Sequence, residues 1–116
     1  MAGLSTLSVQ PGDVVVADFP GVMETKRRPA LVVSSEAYHA ARPDVVLAVL
    51  TGQVAAATAL TDYRLRDWSA SGLRAPTALR VFLITLPRED VIAIIGHLSD
   101  HDWREAQARL RLALAI

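Results

Sequence analysis

Cysteine is absent from this 116-residue chain. Thiol nucleophiles, disulfides and cysteine–zinc sites are thereby excluded. Lysine is nearly absent: Lys26 stands alone, and arginine supplies the rest of the 12 cations. Arginine's planar fork suits bidentate recognition of phosphate or carboxylate, although genomic composition produces the same bias. Neither charge is in surplus, because 12 acids balance the 12 cations. A protein that binds nucleic acid by bulk electrostatics is normally basic, so any phosphate must be met by a local patch. No uncharged apolar run reaches membrane-spanning length, and Met1–Gln10 lacks a basic segment followed by an apolar core. A cytoplasmic, membrane-free protein is therefore the expectation. A glycine-rich phosphate loop, a nucleophile elbow and a paired-carboxylate motif are also missing.

What is present reads as one domain over residues 1–116, with 1–10 frayed. Hydrophobic residues make up 52% of the chain and mean hydropathy is +0.30, which leaves apolar surface for a partner or a second copy. Pro11-Gly12 is a turn signal. Strands are expected at Asp13–Phe19, Pro29–Ser34, Val45–Leu50, Thr61–Leu65, Thr77–Leu86 and Val91 to about Leu98. Val45–Leu50 is continuously apolar and reads as buried on both faces. Ser35–Ala41 has the makings of a short capped helix, and Asp67–Ser71 of a helical turn ended by Gly72. Ser99 opens the main helix, with Asp102 at capping-box spacing. Acids crowd its first turns, and Trp103, Ala106, Leu110 and Ala113/Leu114 form one apolar face. Six short strands and a C-terminal helix predict a small, curled antiparallel sheet or barrel, mainly β, with the helix packed on it.

Three groups of residues could carry chemistry. In Lys26-Arg27-Arg28-Pro29 the proline fixes its own φ and pushes Arg28 into an extended conformation. Arg28 is then held at a strand's mouth, with Lys26 and Arg27 on the mobile loop before it. Thr51 also stands at a strand–loop boundary. If the two strands are neighbours, a cation and a hydroxyl converge and could bind a phosphodiester. A solvated basic turn and a capping hydroxyl are the plainer readings. The second group is Arg64, Arg66, Arg74 and Arg80 with Tyr63 and Trp68, a mixture that can grip single-stranded nucleic acid. Trp68 fits the core better. Arg80, a lone charge in an apolar strand, needs a partner or an exposed face. The third is His97 with His101; a helix start falls between them, so a metal site is not expected. His39 reads as a surface residue.

Taken in order, these pieces resemble the MazF/PemK family of toxin–antitoxin ribonucleases. The matching stretches are Gly12-Asp13-Val14-Val15 with Asp18-Phe19-Pro20, then Lys26 to Ser34, then Asp44–Leu50 running into Thr51-Gly52-Gln53. Gly72-Leu73 with Pro76 to Arg80, and Gly96-His97-Leu98-Ser99-Asp100, complete the set. The resemblance implies an SH3-like antiparallel barrel with a C-terminal helix. It implies a homodimer that cuts single-stranded RNA without a cofactor or metal and is inhibited by a cognate antitoxin with an acidic, flexible segment. Arg28 and Thr51 carry over as catalytic residues, and Lys26, Arg27, Gln53 and Arg80 as RNA contacts. The implied chemistry is attack of a 2′-hydroxyl on its own phosphate. Two departures stand out. Phe82 occupies a position where family members often have a carboxylate. The loop Gly21–Lys26 is not glycine-rich, and Glu24 lines up only loosely with an acidic loop residue. No general base is evident. The same fold also serves toxins that poison DNA gyrase, and a silent member would only bind RNA or an antitoxin.

Overall fold

The computed structural model describes residues 8–20 and 23–116. The first seven residues, and Gly21 and Val22 of the departing loop, lie outside the described residues. Six strands form one antiparallel sheet in the order β4-β5-β3-β2-β1-β6, curled into a half-barrel. They are β1 (Asp13–Pro20), β2 (Thr25–Val32), β3 (Asp44–Thr51), β4 (Tyr63–Arg64), β5 (Ala78–Pro87) and β6 (Val91–His97). A short helix α1 (Glu36–Ala41) bridges β2 and β3, and α2 (Asp100–Leu114) closes the chain. Ser35 caps α1 by accepting from the Tyr38 amide.

Side chains on a strand alternate between faces, and here both faces of the central strands are covered. Val15, Ala17, Phe19, Ala30, Val32, Val45, Leu47 and Leu86 pack together on one face. Val14, Leu31, Ala48, Leu50 and Leu79 point the other way and meet Leu98 and Ala106 at the base of α2. β3 supplies residues to both clusters, as its continuous apolar run requires. Val9 is buried in the first cluster and the Gln10 amide donates to Asp13 Oδ2 at 2.9 Å. Residues 8–10 are therefore tied down rather than frayed.

The basic stretch departs from expectation. Lys26 and Arg27 lie within β2, not on a loop before it, because the β1–β2 hairpin runs on to Pro20↔Thr25. Asp18 opposite Arg27 supplies the reason: Arg27 Nε donates to Asp18 Oδ1 at 2.9 Å across the strands. Pro29 sits inside β2, opposite Val16. β2 pairs with β3 only from Ala30 onward, so at Pro29 there is no ladder on that side to break.

The expected strand Thr61–Leu65 shrinks to Tyr63–Arg64. On its N-terminal side the Asp62 amide closes a turn onto the Ala59 carbonyl, and beyond Leu65 the backbone bonds to a side chain instead of a ladder. Asp102, fully buried, accepts from the Tyr63 hydroxyl at 2.5 Å, the Arg66 amide at 3.1 Å and the Asp67 amide at 2.8 Å. Ser99 does cap α2, its Oγ accepting from the Asp102 amide. The Asp102 carboxylate, however, ties the helix to the 63–67 segment rather than returning to Ser99. Beyond Leu110 the helix is exposed, so Leu114 (45% exposed) is not on the buried face. Gly72 and Gly96 let the turn at Ser69–Ser71 lie directly on β6: a Cβ on Gly96 would stand 2.1 Å from the Ser71 carbonyl oxygen.

Candidate functional site

Arg28 and Thr51 each lie two residues beyond the last β2–β3 pair, Ala30↔Val49. Continued by two residues, that register sets them opposite one another. Period-two alternation puts Arg28 on the face of Ala30 and Val32, and Thr51 on the face of Val45 and Leu47. They therefore rise from the same side of the sheet where the strands part. β5 completes the site through an irregularity. Between the pairs Ala48↔Leu83 and Leu50↔Leu79, β3 advances two residues while β5 advances four. The extra residues bulge opposite Val49, and both Arg80 and Phe82 line the pocket beside it. Bulges are a common means of re-aiming side chains at sites.

The outcome is an open pocket of about 200 Å³ lined by Arg28, Val49, Thr51, Gln53, Arg80 and Phe82. Four of the six expected site residues meet there. Lys26 and Arg27 do not line it; Arg27 is bound to Asp18, and their hydrogen bond holds the Asp18 carboxyl below its ordinary range. Glu24 is exposed and also outside the pocket lining.

Within the pocket the two arginines differ. Among the described residues Arg28 has no carboxylate within ion-pair distance. Arg80 Nε lies 3.8 Å from Asp62 Oδ1, too far for a hydrogen bond, and is buried without a partner. The Asp62 side chain is largely buried and accepts from the Ala59 amide. The Arg80 guanidinium lies over the Phe82 ring, 5.2 Å from its centroid. Thr51 Oγ1 accepts from the Gln53 amide at 3.1 Å. That bond fixes the rotamer and leaves the hydroxyl proton available to donate. Arginine stays protonated, so neither Arg28 nor Arg80 can serve as a base.

The remaining arginines are elsewhere. Arg66 pairs with Asp67 at 3.1 Å, and Arg64 and Arg74 are exposed away from the pocket. Tyr63 and Trp68 pack against the helix-side core. Burial, and then the bond to Asp102, raises the Tyr63 hydroxyl well above its ordinary range. They offer no stacking platform; Phe82 is the exposed aromatic in the pocket. Its alternation with Arg80 along β5 was the signal for it. His97 Nδ1 meets Asp13 Oδ1 at 2.9 Å. Among the described residues no three metal-ligating side chains come together. His39 is half-buried rather than superficial, with Nε2 2.6 Å from Ser34 Oγ. Burial, and then the nearby Arg88, lowers its pKa from the ordinary value.

The class this fold defines is a small six-stranded half-barrel with a C-terminal helix, shared with several solved structures. An endoribonuclease solved with its cognate antitoxin from a Mycobacterial species superposes with a TM-score of 0.79 at 21% identity, covering 94% of this chain and 97% of that one. The Mycobacterium tuberculosis toxin MazF-mt6 gives 0.72 at 20% identity, over 90% and 97% of the two chains. MazF from Deinococcus radiodurans gives 0.71 at 20% identity, over 93% and 97%. A search of curated sequences finds no significant match. The family is settled by its sequence model, which matches residues 10–114: the chain belongs to the PemK-like, MazF-like toxins of type II toxin–antitoxin systems.

Proposed function

We propose that the protein is an endoribonuclease that cleaves single-stranded RNA, messenger RNA above all, at particular sequences and without a metal. The observation that carries this reading is the meeting of Arg28, Thr51, Gln53 and Arg80 around one pocket. A scissile phosphate seated there faces two cations and a donor hydroxyl. The 2′-oxygen bonds to phosphorus, the bond to the 5′-oxygen breaks, and a 2′,3′-cyclic phosphate and a 5′-hydroxyl result. Charge builds on the phosphoryl oxygens as the phosphorane forms. Arg28 and Arg80 oppose that charge, and the Thr51 hydroxyl donates to one oxygen. No pocket-lining side chain can act as a base, so the 2′-proton passes to solvent and solvent protonates the 5′-oxygen. Lys26 and Arg27 serve as outer contacts to the RNA backbone, and Gln53 reads a base edge.

The working form in this proposal is a cytoplasmic homodimer. Ile92, Ile94 and Ile95 on β6 and Leu83 on β5 are exposed, the apolar surface that a second copy would cover. No helix of the described residues is long and apolar enough to cross a membrane. The cognate antitoxin supplies an acidic, flexible segment that occupies the arginines in place of phosphate.

The test is incubation of the purified protein with single-stranded RNA in EDTA. Fragments with 5′-hydroxyl ends are expected, and duplex RNA should be cut poorly because its bases are stacked away. Complete inhibition by EDTA with rescue by a divalent ion would overturn the mechanism. Phe82, in place of a carboxylate, favours one other reading, a silent member that binds RNA without cutting it. Retention of RNA with no fragments would select it, and loss of gyrase supercoiling activity on addition of the protein would select the gyrase poison.

A further inference from the structure

We propose that Phe82 is the base-stacking residue of the pocket and holds the nucleotide beside the scissile phosphate. The inference deepens the ribonuclease reading and rests on it. Phe82 is 60% exposed, more than Leu83 (38%) beside it, whereas Leu79 and Leu86 on the same strand are almost fully buried. The ring is open to solvent within a cationic pocket and so is accessible to a ligand there. The ring shares that pocket with Arg28, Thr51, Gln53 and Arg80. Arg80 and Phe82 are two residues apart on β5 and both line the pocket beside Val49. Arg80 lies over the ring, 5.2 Å from its centroid, so a phosphate bound by the guanidinium is held next to an aromatic side chain. Bases in single strands are held in this way, on aromatic faces beside a phosphate-binding cation. Tyr63 and Trp68 pack against the helix-side core and do not line the pocket, so they cannot take this part. The ring replaces nothing in the chemical step; it grips the base while Arg28, Arg80 and Thr51 act on phosphorus.

The experiment compares binding of short fluorescent oligo(rU) and oligo(rA), 2′-O-methylated to block cleavage, with the same backbone lacking bases. Phe82→Leu should weaken the base-bearing oligonucleotides by about five- to a hundredfold, the range for one stacked base. It should leave the abasic backbone within about twofold, because no phosphate contact is touched. Phe82→Trp should restore or exceed wild-type affinity. Equal weakening on both kinds of backbone, or none on either, overturns the proposal. So does a change in dimer mass by light scattering in Phe82→Leu, which would make the ring an interface residue. Wild type that binds no RNA removes the ribonuclease reading and this proposal with it. Wild type that binds while Phe82→Leu ignores the base removes this proposal alone.

Discussion

Arg28→Ala tests the chemistry most directly. Arg28 is exposed at the point where β2 leaves β3, and among the described residues it holds no carboxylate. Truncation therefore strands no buried partner, and folding stability should stay within about 0.5 kcal/mol of wild type. The effect on rate is larger. Two unit charges at 4 Å attract by about 1 kcal/mol in water and about 4 kcal/mol at the effective dielectric of a protein surface. The reacting phosphate gains roughly one negative charge on the way to the phosphorane, so the rate should fall by about five- to a thousandfold. Removal of one preorganised donor elsewhere costs about 10²–10³, which places the expectation in the upper half of that range. Because the added charge exists only in the transition state, kcat should fall more than KM rises. Arg28→Lys keeps the charge but loses the fork, so it should recover only part of the rate. Loss of one phosphate contact should also flatten the slope of log affinity against log salt by about 0.7. The assay is single-turnover cleavage of a labelled RNA, with a thermal melt of each variant. Wild-type turnover by a folded Arg28→Ala protein would refute the assignment.

Two further predictions concern the frame around the pocket. Asp102→Ala leaves the Tyr63 hydroxyl and two backbone amides without their acceptor; at about 1–3 kcal/mol for each, destabilisation of roughly 3 kcal/mol or more is expected in a urea melt, and a loss below 1 kcal/mol would show that water replaces the carboxylate. Stability should fall as pH drops below about 6.5, the ordinary histidine value from which the folded His39 pKa is lowered, because the unfolded chain then binds a proton that the fold refuses. Arg88 opposes that proton, while Glu36 and Asp13 favour it more weakly. His39→Gln should flatten the slope between neutral pH and the lowered folded value, and an unchanged slope would remove His39 as its source.

Much of the architecture is legible along the chain because its signals are local. The β-branched runs at Asp13–Phe19, Val45–Leu50 and Val91–Ile95 became strands, and Ser99 capped the helix it precedes. Where the reading failed, a distant residue had intervened. Lys26 and Arg27 resemble a loop until Asp18 is known to lie across from Arg27. Thr61–Leu65 resembles a strand, but a turn between Ala59 and Asp62 takes its first residues, and Asp102, far along the chain, captures the Arg66 and Asp67 amides just past its end. His39 resembles a surface residue until Ser34 and Arg88 are placed around it.

The pocket divides along the same line. Arg28 and Thr51 could be paired in advance, since each ends an apolar strand and antiparallel neighbours bring such ends together. Arg80 stood out only as a charge inside an apolar strand. Its arrival beside Thr51 depends on β5 pairing with β3, and register is set by the whole sheet rather than by any window of it. The same pairing sets Phe82, at the position of the missing carboxylate, as an exposed ring beneath Arg80. Two residues apart on β5, Arg80 and Phe82 both line the pocket beside Val49, so one strand supplies a cation for the phosphate and a surface for its base. Arg80→Ala and Phe82→Leu should each remove only one of these: the first should weaken base-bearing and abasic backbones alike, the second only the base-bearing ones.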